Sequence, residues 1–412
     1  MWALEYSYLL IGAILMLAAV SRPLVGRYPI SPAMLYLGVG WILSHRRIGF
    51  LSVDPVEHAD VLEHVSELAV VISLFVCGLK CQVRASNPLW ALPLRLAFLS
   101  MTFTVGMITL IGFYLLNLPL GVALILGAVL APTDPVLASE VQIEGIHDRD
   151  KVRFALTGEG GFNDGTAFPF LYLGLGFLGL HHLGEWWGSW WAVDVLWGIL
   201  GGLALGAICG AAAGLMVLKL PGHEHQGVQE FLAFGLVFTS YGAAMALGTH
   251  GFLAAFTSGL ALRWVEGRPR DESEQTAMAH KVLGFKERVE RLLEAVNVVL
   301  IGALTATIPW DSSLLWLAPL LFVIVRPLAV MLGLWGARIS NLRRSYIAWF
   351  GIRGIGSVYY FSYAVGQGLP TLQAQSLAAL VYPLLALSII VHGLSVSPLM
   401  ERYSEDDDPK AC

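Results

Sequence analysis

Residues 158–165 read Gly158-Glu159-Gly160-Gly161-Phe162-Asn163-Asp164-Gly165, two carboxylates and an amide inside an otherwise apolar stretch from about 152 to 180. An ionisable side chain at bilayer depth costs about 3 kcal/mol or more unless it is paired or has a task, so it is read as functional. Outward from this stretch the chain is made for lipid. Of its 412 residues 56% are hydrophobic and 13% charged, with a mean hydropathy of +0.68, outside the norms of soluble domains. A net charge of −5 without a basic stripe excludes a nucleic-acid partner. Cys77, Cys81, Cys209 and Cys412 are too scattered for a disulfide framework or a soft-metal site, and no cofactor is expected. The first apolar run, Leu9 to Val20, has no basic residue before it and reads as a retained helix, not a signal peptide.

A crossing helix needs about 20 apolar residues. Thirteen such spans are expected, at 4–21, 29–44, 66–80, 89–116, 119–142, 152–180, 191–219, 228–248, 250–265, 287–308, 312–337, 343–366 and 374–400. The fold class is therefore an all-α polytopic membrane protein. Basic residues collect in cytoplasmic loops. Of the 25 Lys and Arg, 21 fall in or within seven residues of the connections that follow odd-numbered spans, or in the tail, which puts the N-terminus outside and the C-terminus in the cytoplasm. Arg263 to Arg291 alternates acids and bases and is expected to be a cytoplasmic helical loop. The acidic end Glu405 to Asp408 is expected to be solvated and disordered.

Span 5 carries Ala131-Pro132-Thr133-Asp134-Pro135, where two prolines remove backbone donors. Span 12 carries Gly351-Ile352-Arg353-Gly354-Ile355-Gly356-Ser357, whose glycines make an unwound segment inexpensive. Irregular backbone survives at depth only against protein or a watery cavity. Seven spans separate the breaks, so spans 1–6 and 8–13 read as inverted six-helix repeats joined by span 7, with helices 5 and 12 crossing in the core. Paired interruptions of this kind point to a transporter's binding site. Half-helix ends carry partial charges: Asp134 suits the positive N-terminal ends, Arg353 the negative C-terminal ends.

At these residues the chain resembles the monovalent cation/proton antiporter family, in its NhaP-like branch, which includes the animal sodium/proton exchangers. The resemblance rests on Thr133-Asp134-Pro135, on Gly158-Glu159 with Asn163-Asp164-Gly165, on Arg326-Pro327-Leu328 and on Gly351 to Gly354. Gly78-Leu79 and Gly251-Phe252-Leu253-Ala254-Ala255 are looser echoes. It implies dimerising interface helices at 1–87 and 228–310, a mobile core at 88–180 and 311–400, a linker helix at 181–227 and a cytoplasmic acidic tail at 401–412. It implies that Arg326 holds Glu159 in a structural pair while Asp164 faces a cavity. Relatives that move two protons per cation carry a second aspartate where this chain has Asn163. Many relatives have a hydroxyl residue where this chain has Gly160. Some supply an acid from span 3, whereas no Asp or Glu occurs here from Leu68 to Leu130.

Asp134, Glu159, Asp164, Arg326 and Arg353 lie within apolar spans near the motifs, and three acids against two arginines leave one negative charge uncompensated. A proton or a monovalent cation balances it, with Asp164 as the carboxylate. Burial disfavours the charged acid and a cation favours it, so the two compete for one group, and exchange follows. The amide of Asn163 cannot release a proton, which points to electroneutral one-for-one exchange. The expected cation- and proton-binding set is Asp164, Asn163, Thr133 and Asp134, with Glu159, Arg326 and Arg353 as a structural charge network. The transported ion, Na+ foremost and K+ or Li+ as alternatives, touches Asp164 and Thr133; hard cations want oxygen. The expected partners are those ions, the proton, the lipid of the cell membrane and a second copy of the chain. An intramembrane aspartyl protease using Asp134 and Asp164 is the alternative from another class, and a passive cation channel a second; a pore normally needs symmetric charge rings. His181-His182 and His223-Glu224-His225 read as solvated loop residues, His250 and His392 as hydrogen-bonded packing, and Trp186, Trp187, Trp190 and Trp191 as an interfacial belt.

Overall fold

A computed structural model describes residues 4–25, 30–81, 83–135, 137–138, 141–143, 148, 150–219, 226–266 and 272–407. Helices α1 (Leu4–Val25), α2 (Pro32–Leu43) and α3 (Ala59–Lys80) coincide with the first three expected spans. The fourth is α4 (Ala91–Arg95), a π-helical turn at Leu96–Ser100 and α5 (Met101–Tyr114) in one continuous stretch. Then follow α6 (Leu120–Leu130), α7 (Lys151–Thr166), α8 (Phe168–Phe177), a π-helical segment at Trp190–Trp197, and α9 (Gly198–Lys219). The next three expected spans fall on α10 (Gln226–Ala246), α11 (Gly251–Glu266) and α12 (Glu272–Thr307). The eleventh is α13 (Leu314–Pro319), a π-helical turn at Leu320–Val325 and α14 (Arg326–Gly333). The twelfth is α15 (Asn341–Trp349) and α16 (Ile355–Gly366), and the last is α17 (Thr371–Asp407).

Among the described residues the chain is all helical, and five helical stretches are long and apolar enough to cross a membrane: Ala59–Lys80, Pro88–Tyr114, Glu185–Val217, Leu314–Gly333 and Thr371–Tyr403. Large apolar side chains such as Met16, Leu110 and Ile208 stand exposed on α1, α5 and α9, as expected where hydrocarbon is the solvent. Inside, α11 packs on α9 and α3, α12 on α2, and α16 on α3.

The break expected in span 5 is present: α6 stops at Leu130, and among the described residues from there to Ile143 no further α-helix follows. Pro132 and Pro135 account for this, since neither can donate to the preceding turn. The charged stretch before span 10 is helical over its described residues, as expected, but continuous with that span: α12 begins at Glu272 and runs unbroken into it, while residues 267–271 lie outside the described set. The acidic tail, expected to be disordered, is instead helical through Asp407, with 408–412 outside the described residues.

Candidate functional site

Helix α7 starts at an N-cap whose carboxylate, that of Asp150, accepts from Val152 N at 2.9 Å and Arg153 N at 2.8 Å. Its glycines each cost helix stability of about 1 kcal/mol relative to alanine. They are kept because neighbours come too close for a side chain. A Cβ on Gly158 would meet Pro93 at 2.6 Å, on Gly160 Pro135 at 3.1 Å, on Gly161 the Phe256 ring at 2.2 Å, and on Gly165 Leu253 at 2.2 Å. Span 4, the span 5 break and α11 thus close on the turns that carry Glu159, Asn163 and Asp164.

Each of the three polar side chains meets a different neighbour. Glu159 takes a bidentate bridge from Arg326, Nη1 to Oε1 at 2.5 Å and Nη2 to Oε2 at 2.8 Å, with both side chains almost wholly buried. Arg326 also donates to the Ile347 carbonyl at 3.2 Å. Asn163, one turn on and on the same face as Glu159, donates through Nδ2 to Thr133 Oγ1 at 2.8 Å. Asp164 is turned about 100° away and lies against the first turn of α16, where a Cβ on Gly356 would come within 2.9 Å of its Oδ1.

The two breaks meet directly. Arg353 donates through Nη1 to the carbonyls of Ala131, in close contact, and Pro132, at 2.9 Å, just past the C-terminal end of α6. Asp134 Oδ2 accepts in close contact from Ile355 N, the first residue of α16, and Asp134 N donates to the Ile352 carbonyl at 2.8 Å. Each break therefore supplies the charged side chain that satisfies the other's orphaned helix end.

Asp164 departs from expectation in one respect. It faces no open cavity, being only 1% exposed, and among the described residues neither carboxylate oxygen has a hydrogen-bond partner. The Asn163 Oδ1 atom is likewise buried and without one. Gly356 in the first turn of α16 lies directly against the Asp164 carboxylate. Sequence reasoning missed Tyr360, whose hydroxyl donates to the Asp164 backbone carbonyl in close contact. It also missed buried Lys80, Asp194, Glu290 and Glu294. Glu290 accepts from Ser73 Oγ at 2.9 Å and Asp194 pairs with His181 at 2.9 Å. Asp194, an isolated acid within an apolar run, could have been flagged from the sequence, whereas Glu290 and Glu294 belong to a charged stretch.

His181 is therefore not merely solvated. His250 bonds the Asp194 carbonyl at 2.8 Å, and His392 the Ser388 carbonyl at 2.8 Å. His223, Glu224, His225 and Cys412 lie outside the described residues. Among the described residues no three His, Cys, Asp or Glu side chains gather into a metal site.

Residues 12–402 match the family described as "Sodium/hydrogen exchanger, transmembrane". The chain belongs to that family. The sodium/hydrogen exchanger family is one of transporters, which sets aside the protease reading. The K(+)/H(+) antiporter NhaP of Alkalimonas amylolytica is 24% identical over 414 residues, covering 100% of this chain and 69% of that protein. The Na(+)/H(+) antiporter NhaH of Halobacillus aidingensis is 24% identical over 414 residues, covering 94% and 96%. Two structures of the sodium proton antiporter MjNhaP1 from Methanocaldococcus jannaschii match with TM-scores of 0.74 and 0.78 at 19% and 20% identity. They cover 97% and 99% of this chain and 99% and 100% of theirs, so the exchanger fold extends over nearly its whole length.

Proposed function

We propose that this exchanger trades a monovalent cation, Na+ foremost and K+ or Li+ as alternatives, for a proton, one for one, at Asp164. One observation carries the reading. Of the five intramembrane charges near the motifs, Glu159 and Arg326 hold each other and Asp134 and Arg353 hold helix ends, while neither oxygen of Asp164 has a partner among the described residues. A buried carboxylate in that position is suited to a proton or a cation as its counter-charge. The antiporter names of the relatives support the same substrates.

Asp164, Asn163 Oδ1, Thr133 Oγ1 and the unwound backbone near Asp134 are the oxygens offered to the ion. With either ligand bound, the core carries no excess charge and can move; empty, it carries one uncompensated charge and crosses poorly. The amide at Asn163 adds no second titrating acid, so no net charge moves per cycle. Because Asp164 is enclosed, exchange requires residues 88–180 and 311–400 to shift against a bundle formed by 1–87 and 228–310, with 181–227 as linker. That bundle is the dimer contact in this reading. The inverted repeat gains support from the π-helical turns at Leu96–Ser100 and Leu320–Val325, which like the two breaks are seven spans apart. The skew of Lys and Arg supports a cell-membrane protein with its N-terminus outside and its C-terminus in the cytoplasm.

The test is purified protein in liposomes, with internal pH followed as Na+, K+ or Li+ is added outside. A cation gradient drives a pH change that clamping the membrane potential does not alter, and Asp164→Asn abolishes it. Undiminished exchange by Asp164→Asn refutes the assignment, and a measurable current refutes electroneutrality.

A further inference from the structure

Tyr360 lies in the middle of α16, is fully buried, and donates its hydroxyl hydrogen bond to the main-chain carbonyl of Asp164. It is four residues after Gly356, so both occupy one face of the helix. Gly356 makes room for the Asp164 carboxylate, and Tyr360 holds the backbone of the same residue. The stretch so held is intrinsically soft. Gly160, Gly161 and Gly165 surround Asp164, and Pro169 removes the donor that would serve the Gly165 carbonyl in a continuous helix. Helix α7 ends at Thr166 and α8 begins at Phe168, so the ladder changes just past the site. The Tyr360 ring itself is fixed by edge contacts with Phe168 and Tyr359, each at 5.4 Å between centroids.

We infer that Tyr360 is a positioning residue for the cation-bound state: its hydroxyl fixes the α7 turn so that the Asp164 carboxylate, Asn163 Oδ1 and Thr133 Oγ1 keep the spacing a bare cation requires. This rests on the exchange reading with Asp164 as the shared carboxylate. A cation must be coordinated by several oxygens at set distances, whereas a proton needs only one. The hydroxyl bonds the carbonyl and not the carboxylate. Removing it therefore weakens cation binding while leaving the proton equilibrium of Asp164 in place.

Competition for one group makes apparent KM for the cation flat at high pH and tenfold higher per pH unit below a midpoint set by proton affinity. Tyr360→Phe raises the high-pH plateau roughly three- to tenfold, the span expected for one hydrogen bond, and leaves the midpoint pH unchanged. 4-Aminophenylalanine at position 360, which restores a donor, returns the plateau to wild type. A wild-type plateau in Tyr360→Phe overturns the inference, as does a plateau and midpoint that shift together. If Tyr360→Phe is not recovered folded, 4-methylphenylalanine against 4-aminophenylalanine at 360 makes the same comparison. Asp164→Asn runs alongside: if it exchanges normally the functional reading fails, and if it is inactive while Tyr360→Phe is unaltered only the positioning role fails.

Discussion

The bridge between Glu159 and Arg326 allows a prediction that separates the two single variants from the double one. Both side chains are at most 4% exposed, so removing one strands the other in an apolar interior. Breaking a buried pair from one side costs about 3–5 kcal/mol, whereas removing both partners leaves no uncompensated charge. Melting followed by circular dichroism in detergent checks this. Glu159→Gln and Arg326→Gln should each melt on the order of 5 °C below wild type, and the variant carrying both substitutions should recover most of the loss. No loss in either single variant, or a double variant that loses the sum of the two, would refute the reasoning.

Gly356→Ala places a methyl 2.9 Å from Asp164 Oδ1, tighter than van der Waals contact allows. The carboxylate must retreat by a few tenths of an ångström, and apparent cation KM should rise by about tenfold in the liposome assay. An unchanged KM would place the carboxylate elsewhere. Arg353→Gln strips the Ala131 and Pro132 carbonyls of their donor, with a cost of about 1–3 kcal/mol for each left unsatisfied. It should lower melting temperature and yield. Arg353→Lys, which keeps the charge without the fork, should restore only part, and full stability in Arg353→Gln would mean that the α6 end needs no cap.

Much of the site could be read from residue types alone. Prolines at 132 and 135 and glycines at 351 and 354 name the places where helices stop, and the sign of Asp134 and Arg353 says which helix end each can satisfy. The phase of one helix separates Glu159 and Asn163 from Asp164. What could not be read depends on pairing across the fold. Tyr360 is an ordinary residue for an apolar span, and nothing local marks its hydroxyl as the donor to a carbonyl 196 residues earlier. The packing of α11 on this helix is likewise non-local: Phe256 and Leu253 meet α7 only because Gly161 and Gly165 let them. The extent of α12 was misread because its first turns are charged and fell outside an apolar window, although the backbone continues without interruption.

The mutual capping of the two breaks also bears on how the chain is made. The donor and acceptor pairs that join them are 221 and 222 residues apart in sequence. At a synthesis rate of about 5–20 residues per second, the carbonyls of Ala131 and Pro132 and the carboxylate of Asp134 wait on the order of 10–40 s for their partners to leave the ribosome. During that interval the first half sits in the bilayer with exposed polar ends, a natural client for insertion chaperones and membrane proteases. A chain truncated after α9 never receives the second half and should be cleared quickly, whereas co-expressing the two halves should rescue both.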